Sequence, residues 1–313
     1  MFEIKRYEPL HEQAWNDFVA RSKNGTFLFD RRFMDYHSDR FADSSLMILR
    51  KGRIYALLPA NRVGDTLHSH QGLTYGGLLT DAKATAEGVM EAFGALNAWL
   101  RNEGVRRVTY KAMPWIYHRL PAEEDLYALT QVCHARLLTR EISSTILLQQ
   151  PLRFTESRKS GLRKALREGL YMEESGDLAA FWQMLDDNLA SRHHTHPVHS
   201  LDELRLLQGR FPQQIHLYLI YNKEKEPVGG TWVFDTGQVV HTQYIASTKE
   251  GKAHGALDLL FDELINRRYR EGIYLDFGKS TEEGGRVLNE HLIFQKEGFG
   301  GRGVCYDTYE WEP

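Results

Sequence analysis

Apolar residues along the 313-residue chain recur at two spacings, and the spacings alternate. In GALDLLFDELINRRYREG (255–272), Leu257, Leu260, Phe261, Leu264 and Ile265 fall at helical intervals, and Gly272 stands where helices commonly end. The short β-prone run IYLDF (273–277) predicts a buried strand, RVLNEHLIFQKEG (286–298) a second helix closed by Gly298, and CYDTYEW (305–311) a last strand. The first half repeats this order. Val89, Phe93, Leu96 and Leu100 predict a helix over 85–104, followed by a strand at 105–110, a helix at 123–132 and a strand at 142–148. The two Glu-Gly helix ends, Gly104 and Gly272, lie 168 positions apart, and each helix follows a strand-like segment, 73–79 or 239–247. Upstream, each half has a helix (11–22; 178–192) and a strand pair (46–60; 215–234), the second turning at Asn222–Pro227. A duplicated unit accounts for the echo, with halves at 1–150 and 151–313 and a boundary near LLQQPLRFTES (147–157).

Composition narrows the function classes. With 42% apolar and 26% charged residues the chain has the make-up of a globular protein with a sizeable core. A net charge of −3 gives no global field for DNA or an anionic membrane. Two cysteines, Cys133 and Cys305, make neither a disulfide framework nor a metal spacing. The N-terminus MFEIKRYEP lacks a secretory apolar core and no run approaches a membrane span, so the cytoplasm is the expected compartment. Oligomeric state is not legible.

The glycine-rich stretch DFGKSTEEGGRVLNEHLIFQKEGFGGR (276–302) invites a nucleotide reading. A P-loop fails because Ile273, not glycine, stands five positions before Gly278, and the GxGxxG spacing is missing. Its glycines are expected to open and close the helix 286–298 and to turn the chain into the last strand. Asp276, at the C-terminal end of its predicted strand, with Lys279 and Ser280 on the turn, retains a claim on chemistry. A turn and helix-cap cluster would use the same residue types.

The order helix, hairpin, strand, helix, strand, helix, strand resembles the GNAT acyltransferase fold, and a tandem pair resembles the FemAB-like proteins. SGLRKALREG (160–169), HPVHSLDEL (196–204), HTQYIAS (241–247), DFGKSTEEGGRVLN (276–289) and QKEGFGGR (295–302) are similar to the BioF2-like acetyltransferase branch. The first half matches mainly in TYGGLLTD (74–81). The resemblance implies an α/β (α+β) fold, a tandem duplication of the GNAT fold with mixed central sheets flanked by helices. It implies an N-acyltransferase, an acyl-CoA such as acetyl-CoA as thioester donor, and a primary amine of a small molecule or peptide as acceptor. On it, Asp276, Lys279 and Tyr244 are the expected catalytic residues. Tyr244, Ile245, Ala246, Gly251, Gly255, Ala256 and Asn289 are the expected donor contacts, and Arg192, His196, His199 and Ser280 the expected acceptor contacts.

Two departures keep alternatives open. GKAHGA (251–256) is out of register with the usual pyrophosphate loop, and Phe294 stands where many relatives have a tyrosine acid. A tRNA-dependent aminoacyl transferase, or a non-catalytic binding module, are the other readings. The segment 153–169 holds six Arg or Lys against two Glu and would suit tRNA, or equally a solvated helix face. His241 and Tyr244, three apart on one strand, share a face only if the register is offset, and Tyr244 is the preferred donor contact. The cluster His193, His194, His196 and His199 lacks metal spacing, and no metal is expected.

Overall fold

The computed structural model describes residues 2–193 and 195–313, with the side chains of Arg192 and His193 outside that description. The chain forms two compact units. The first comprises Met1–Ile142, Thr281–Val287 and Cys305–Pro313; the second comprises Ser143–Ser280 and Leu288–Val304.

The first unit contains the helix Glu12–Arg21, the hairpin Leu46–Arg50/Arg53–Leu58, the helix Ala86–Asn102, the strand Arg107–Lys111 and the helix Glu124–Gln131. Helix Ala86–Asn102 buries Val89, Phe93, Leu96 and Leu100, the stripe that predicted it, against Val108, Tyr110 and Trp311. The strand expected at 73–79 shrinks to Leu79–Thr80. Before it, the Lys111 ammonium takes the carbonyls of His70, Gln71 and Leu73, so a side chain replaces the ladder there.

The second unit runs through helix Glu156–Arg167, strand Tyr171–Glu174, helices Leu178–His193 and Leu201–Arg210, and the hairpin Ile215–Tyr221/Pro227–Asp235. Strand Val239–Ser247, helices Lys249–His254 and Ala256–Glu263, strand Tyr274–Lys279 and helix Glu290–Gly298 follow. Leu259, Leu260, Phe261 and Leu264 pack beneath the sheet against Val233, Val240, Leu275, Phe277 and Phe299. Burying each such side chain contributes roughly 1.5–3 kcal/mol.

A contiguous division at 150/151 is not the one the units make. Strand Arg136–Leu147 delivers residues 143–147 to the second unit, where they pair antiparallel with Tyr274–Lys279. Strand Arg302–Trp311 delivers its end to the first unit, where Thr308–Trp311 pair with Val108–Lys111. Each of these two strands is therefore divided between the units. Periodicity gives the strands but not the partner each completes.

The helix at the C-terminal end begins at Glu290, not 286, because Asn289 caps it and accepts from the Leu292 N–H at 3.0 Å. Glu283, Gly284 and Gly285 all have positive φ and turn the chain before it, so Gly284 and Gly285 do not open this helix.

The junction between Lys249–His254 and Ala256–Glu263 depends on Gly255, which has φ +77° and whose missing Cβ would lie 2.3 Å from the Gly161 carbonyl oxygen. Gly255→Ala is therefore expected to lower unfolding free energy by about 2 kcal/mol or more. Gly176→Ala, with nothing within 4 Å, should change it by less than about 0.5 kcal/mol. Denaturant unfolding of the two variants checks this.

Candidate active site

Strand Val239–Ser247 organises the site through two irregularities. The first is a β-bulge. Along its antiparallel partner, Trp232 faces Tyr244 but Val233 faces Thr242, so Gln243 is an inserted residue. The insertion supplies the register offset. His241 opposite Phe234 and Tyr244 opposite Trp232 now share one face of the sheet. The second is a divergence. Parallel pairing with the next strand covers only Val239↔Tyr274, Val240↔Leu275 and His241↔Asp276 and stops there. Beyond it the strands splay, and a cleft of about 130 Å³ opens. Ile245, Phe261, Phe277, Leu292 and Phe299 line it, with Ala246, Ser247, Lys252 and Lys296. Ile245, Phe261, Phe277 and Phe299 belong to the core beneath the sheet, so the cleft and His241 lie on opposite faces.

Asp276 is the last paired residue before the splay and is fully buried. Its in-register neighbours surround it. Ser143 Oγ and Thr145 Oγ1 (2.7 Å) donate to Oδ1 from one side. His241 Nδ1 lies 2.9 Å from Oδ2 on the other, and the Gly278 N–H reaches Oδ2 at 3.3 Å. Burial alone would raise this carboxyl; the bond and charge of His241, helped by the two hydroxyls, hold it below the usual carboxylate range. Asp276 thus stays ionised and fixes the His241 tautomer with the proton on Nδ1, which makes Nε2 the basic atom of the ring. Gly278 completes the arrangement: at φ +75° the chain turns back, and a Cβ there would come within 3.3 Å of His241 Cε1.

Lys296, from helix Glu290–Gly298, balances the carboxylate. It is 5% exposed, and its ammonium donates to the carbonyls of Gly278 (2.8 Å) and Lys279 (2.9 Å) and to Ser280 Oγ (2.9 Å). All three protons are used, so Lys296 clamps the turn after the strand. Burial pushes its pKa down to about 8, against the opposing pull of Asp276.

The expected site residues divide accordingly. Asp276 does meet a reactive group, but it is His241; with no exposed surface it cannot itself receive a proton from an incoming amine. Lys279 contributes its carbonyl to Lys296. Ser280, fully buried on the same ammonium, is a structural partner rather than an acceptor contact. Tyr244 Oη lies 2.6 Å from His199 Nδ1, and its ring stacks on Trp232 at 15°. Burial pushes its pKa up to about 12, against the lowering effect of hydrogen bonds from the His199 backbone and the Gln243 side chain, so the phenol keeps its proton at neutral pH. The His199 carbonyl accepts from Trp182 Nε1 at 3.0 Å, and His196, 2.7 Å from Asp186, is on the surface. Arg192 lies outside the described side chains.

Among the expected donor contacts, Ile245 and Ala246 line the cleft. Gly251, Gly255, Ala256 and Asn289 have other duties. A Cβ on Gly251 would sit 1.9 Å from the Val228 carbonyl, Gly255 abuts Gly161, Ala256 is buried beside Gly229, and Asn289 is a helix cap. Gly251 and Gly255 are thus called for by close approach to protein backbone. Phe294 is 69% exposed and outside the cleft lining. Sequence reasoning missed Lys296, Ser143 and Thr145. The signal for Lys296 is a lysine on the helix flank that also bears Leu292 and Phe299, facing a buried strand end. Among the described residues no group of three metal-ligating side chains occurs.

Residues 155–284 match the family model for an acetyltransferase (GNAT) domain. The whole chain shares a fold with the crystal structure of FemX (TM-score 0.68, 11% identity, 99% of this chain and 97% of that one). It is also similar to the C-terminal domain of a putative lysylphosphatidylglycerol synthetase from Agrobacterium fabrum (TM-score 0.62, 13% identity, 96% and 91%). A tandem GNAT protein from the clavulanic acid biosynthesis pathway aligns at TM-score 0.51 and 12% identity over 100% and 98%. No curated protein sequence matches. No helix among the described residues is long and apolar enough to cross a membrane.

A pH experiment isolates Lys296. Its folded pKa of about 8 lies below the 10.5 of a free lysine, so between those values the unfolded chain binds more protons and stability rises with pH. Wild type minus Lys296→Met should therefore gain on the order of 3 kcal/mol across that window. Chemical denaturation at a series of pH values measures it; a flat difference would remove the buried, charged role.

Proposed function

We propose that this chain, which carries a GNAT acetyltransferase domain within a tandem GNAT fold, is an N-acyltransferase with its reaction centre in the second unit, where strands 239–247 and 274–279 part. The donor is a thioester whose slender arm lies in the apolar cleft, and the acceptor is a primary amine arriving on the opposite face, beside His241. The observation that carries this reading is the position of the His241↔Asp276 pair at the point of divergence, with the cleft on one face and His241 on the other.

In the proposed reaction the amine nitrogen attacks the thioester carbonyl, and the carbonyl electrons move onto oxygen. Backbone N–H groups of residues 242–247, past the end of the parallel ladder, are the source of oxyanion stabilisation. His241 Nε2 removes a proton from the attacking nitrogen, and Asp276 stabilises the resulting imidazolium. The oxyanion then collapses, the C–S bond breaks, and the amide and a thiolate result. The thiolate takes up one proton, so free thiol leaves and the overall balance is thioester plus amine to amide plus thiol. The buried Lys296 ammonium, at the floor of the cleft, favours the negative charge that develops above it.

On the His241 face, Tyr244, His199 and the fully buried Trp232 pack ring against ring beneath the acceptor side.

Thiol release from acetyl-pantetheine with a panel of primary amines tests the reading. His241→Asn, whose amide nitrogen can keep the bond to Asp276, should lower kcat/KM by roughly 10²–10⁴-fold, whereas His241→Ala should also lower the unfolding midpoint because it strips a partner from the buried carboxylate. An unchanged rate in a folded His241→Ala protein would reject His241 as the base.

A further inference from the structure

The buried Lys296 and the exposed Lys252 both line the cleft. A coenzyme nucleotide in that position would bring a diphosphate to the helix start beyond Ser247, where one amide is already used. The Gly251 N–H donates to Thr248 Oγ1 at 3.0 Å, and the Val228 carbonyl closes the space beside it. The following helix, Ala256–Glu263, starts at Gly255 against the Gly161 carbonyl and has the Asp258 carboxylate in its first turn. Arg158 pairs with Asp258 at 2.9 Å. The Arg158–Asp258 pair already uses the positive end of that helix, so it offers a diphosphate no uncompensated charge. One phosphodiester, by contrast, needs one cation, and the exposed Lys252, whose ammonium also holds Asn188 Oδ1 at 2.8 Å, is on the cleft lining.

The rim of the cleft continues into helix Glu156–Arg167. Arg158 lies over the ring of Phe299, a cleft residue, at 5.3 Å. Outward, Arg163 and Arg167 are exposed and flank Leu166, which is 54% exposed; Leu152, 47% exposed, and Arg153 lie just before the helix. Arg163, Lys164 and Arg167 form no ion pair among the described residues. An exposed leucine framed by unpaired cations complements an amphipathic acidic helix. It is poorly suited to RNA, because the helix Glu156–Arg167 contains no aromatic residue on which a base could stack.

We infer that the donor is a phosphopantetheine thioester carried on an acidic carrier protein, which docks on helix Glu156–Arg167 and passes its arm into the cleft. The inference rests on the thioester cleft proposed above and adds the identity of the donor's carrier. Transfer leaves the carrier with a free phosphopantetheine thiol and the amine acylated, with no further reactant.

The test compares three acetyl donors against one amine: an acetyl-loaded type II acyl carrier protein, acetyl-CoA and acetyl-pantetheine. The carrier thioester should exceed acetyl-CoA in kcat/KM by about tenfold or more. The double variant Arg163→Glu/Arg167→Glu should lose at least about tenfold with the carrier while its rate with acetyl-pantetheine stays unchanged. Acetyl-CoA equalling the carrier, an unaffected double variant, or displacement of the carrier by an aminoacylated RNA would overturn the inference and leave the thioester cleft standing. Failure of acetyl-pantetheine with every amine would remove the cleft reading, and the carrier inference with it.

Discussion

A single buried carboxylate sets the geometry of the second unit. Asp276 has no contact with solvent, and an ionised carboxylate in that position is tolerated only if its oxygens are fully bonded. Strands on both sides supply the partners, Ser143 and Thr145 from one and His241 from the other, with Gly278 from its own chain. The requirement fixes the register of three strands at one level of the sheet. Ser143 and Thr145 arrive on strand Arg136–Leu147, whose residues 143–147 belong to the second unit. Lys296 closes the arrangement from the helix side by holding the carbonyls of the turn that follows the carboxylate.

Above that level the sheet is free to open. The parallel ladder ends at His241↔Asp276, and the bulge at Gln243 rotates the outgoing strand so that His241 and Tyr244 fall on one face. The opposite face retains Ile245 and Phe277, which continue from the apolar core into the cleft wall. One irregular strand therefore separates a polar side carrying an oriented imidazole from an apolar slot open to the surface. The buried charge and the splay are consecutive steps of one construction.

Much of this construction was legible in the residues. The helical stripes of 86–102 and 256–263 and the β-prone runs at 239–247 and 274–279 follow from periodicity, because the burial that shapes them is local in sequence. The doubled order of elements was readable for the same reason. Asp276 stood out as a carboxylate at a strand end. Its function as the holder of His241 was hidden, since it depends on which strands lie beside it, and alternation patterns carry no information on neighbours. The bulge at Gln243 was equally hidden: a single inserted residue leaves the apolar pattern almost intact yet reverses the face of everything beyond it. Gly251, Gly255 and Asn289 read as ligand contacts because glycines and caps serve ligands and packing alike. Only the positions of Val228, Gly161 and Leu292 decide between the two.

On the proposed function, the opening beside strand 239–247 receives a thioester arm whose reacting carbon faces His241. A crystal structure with the non-hydrolysable ketone analogue of acetyl-pantetheine tests it most directly. The account predicts the arm in the slot between Ile245 and Phe277, its carbonyl oxygen within about 3 Å of a backbone N–H of residues 242–247. The ketone carbon would lie on the side from which His241 Nε2 is reached. An analogue bound elsewhere, or a slot closed by Leu292 and Phe299 at saturating analogue, would contradict it.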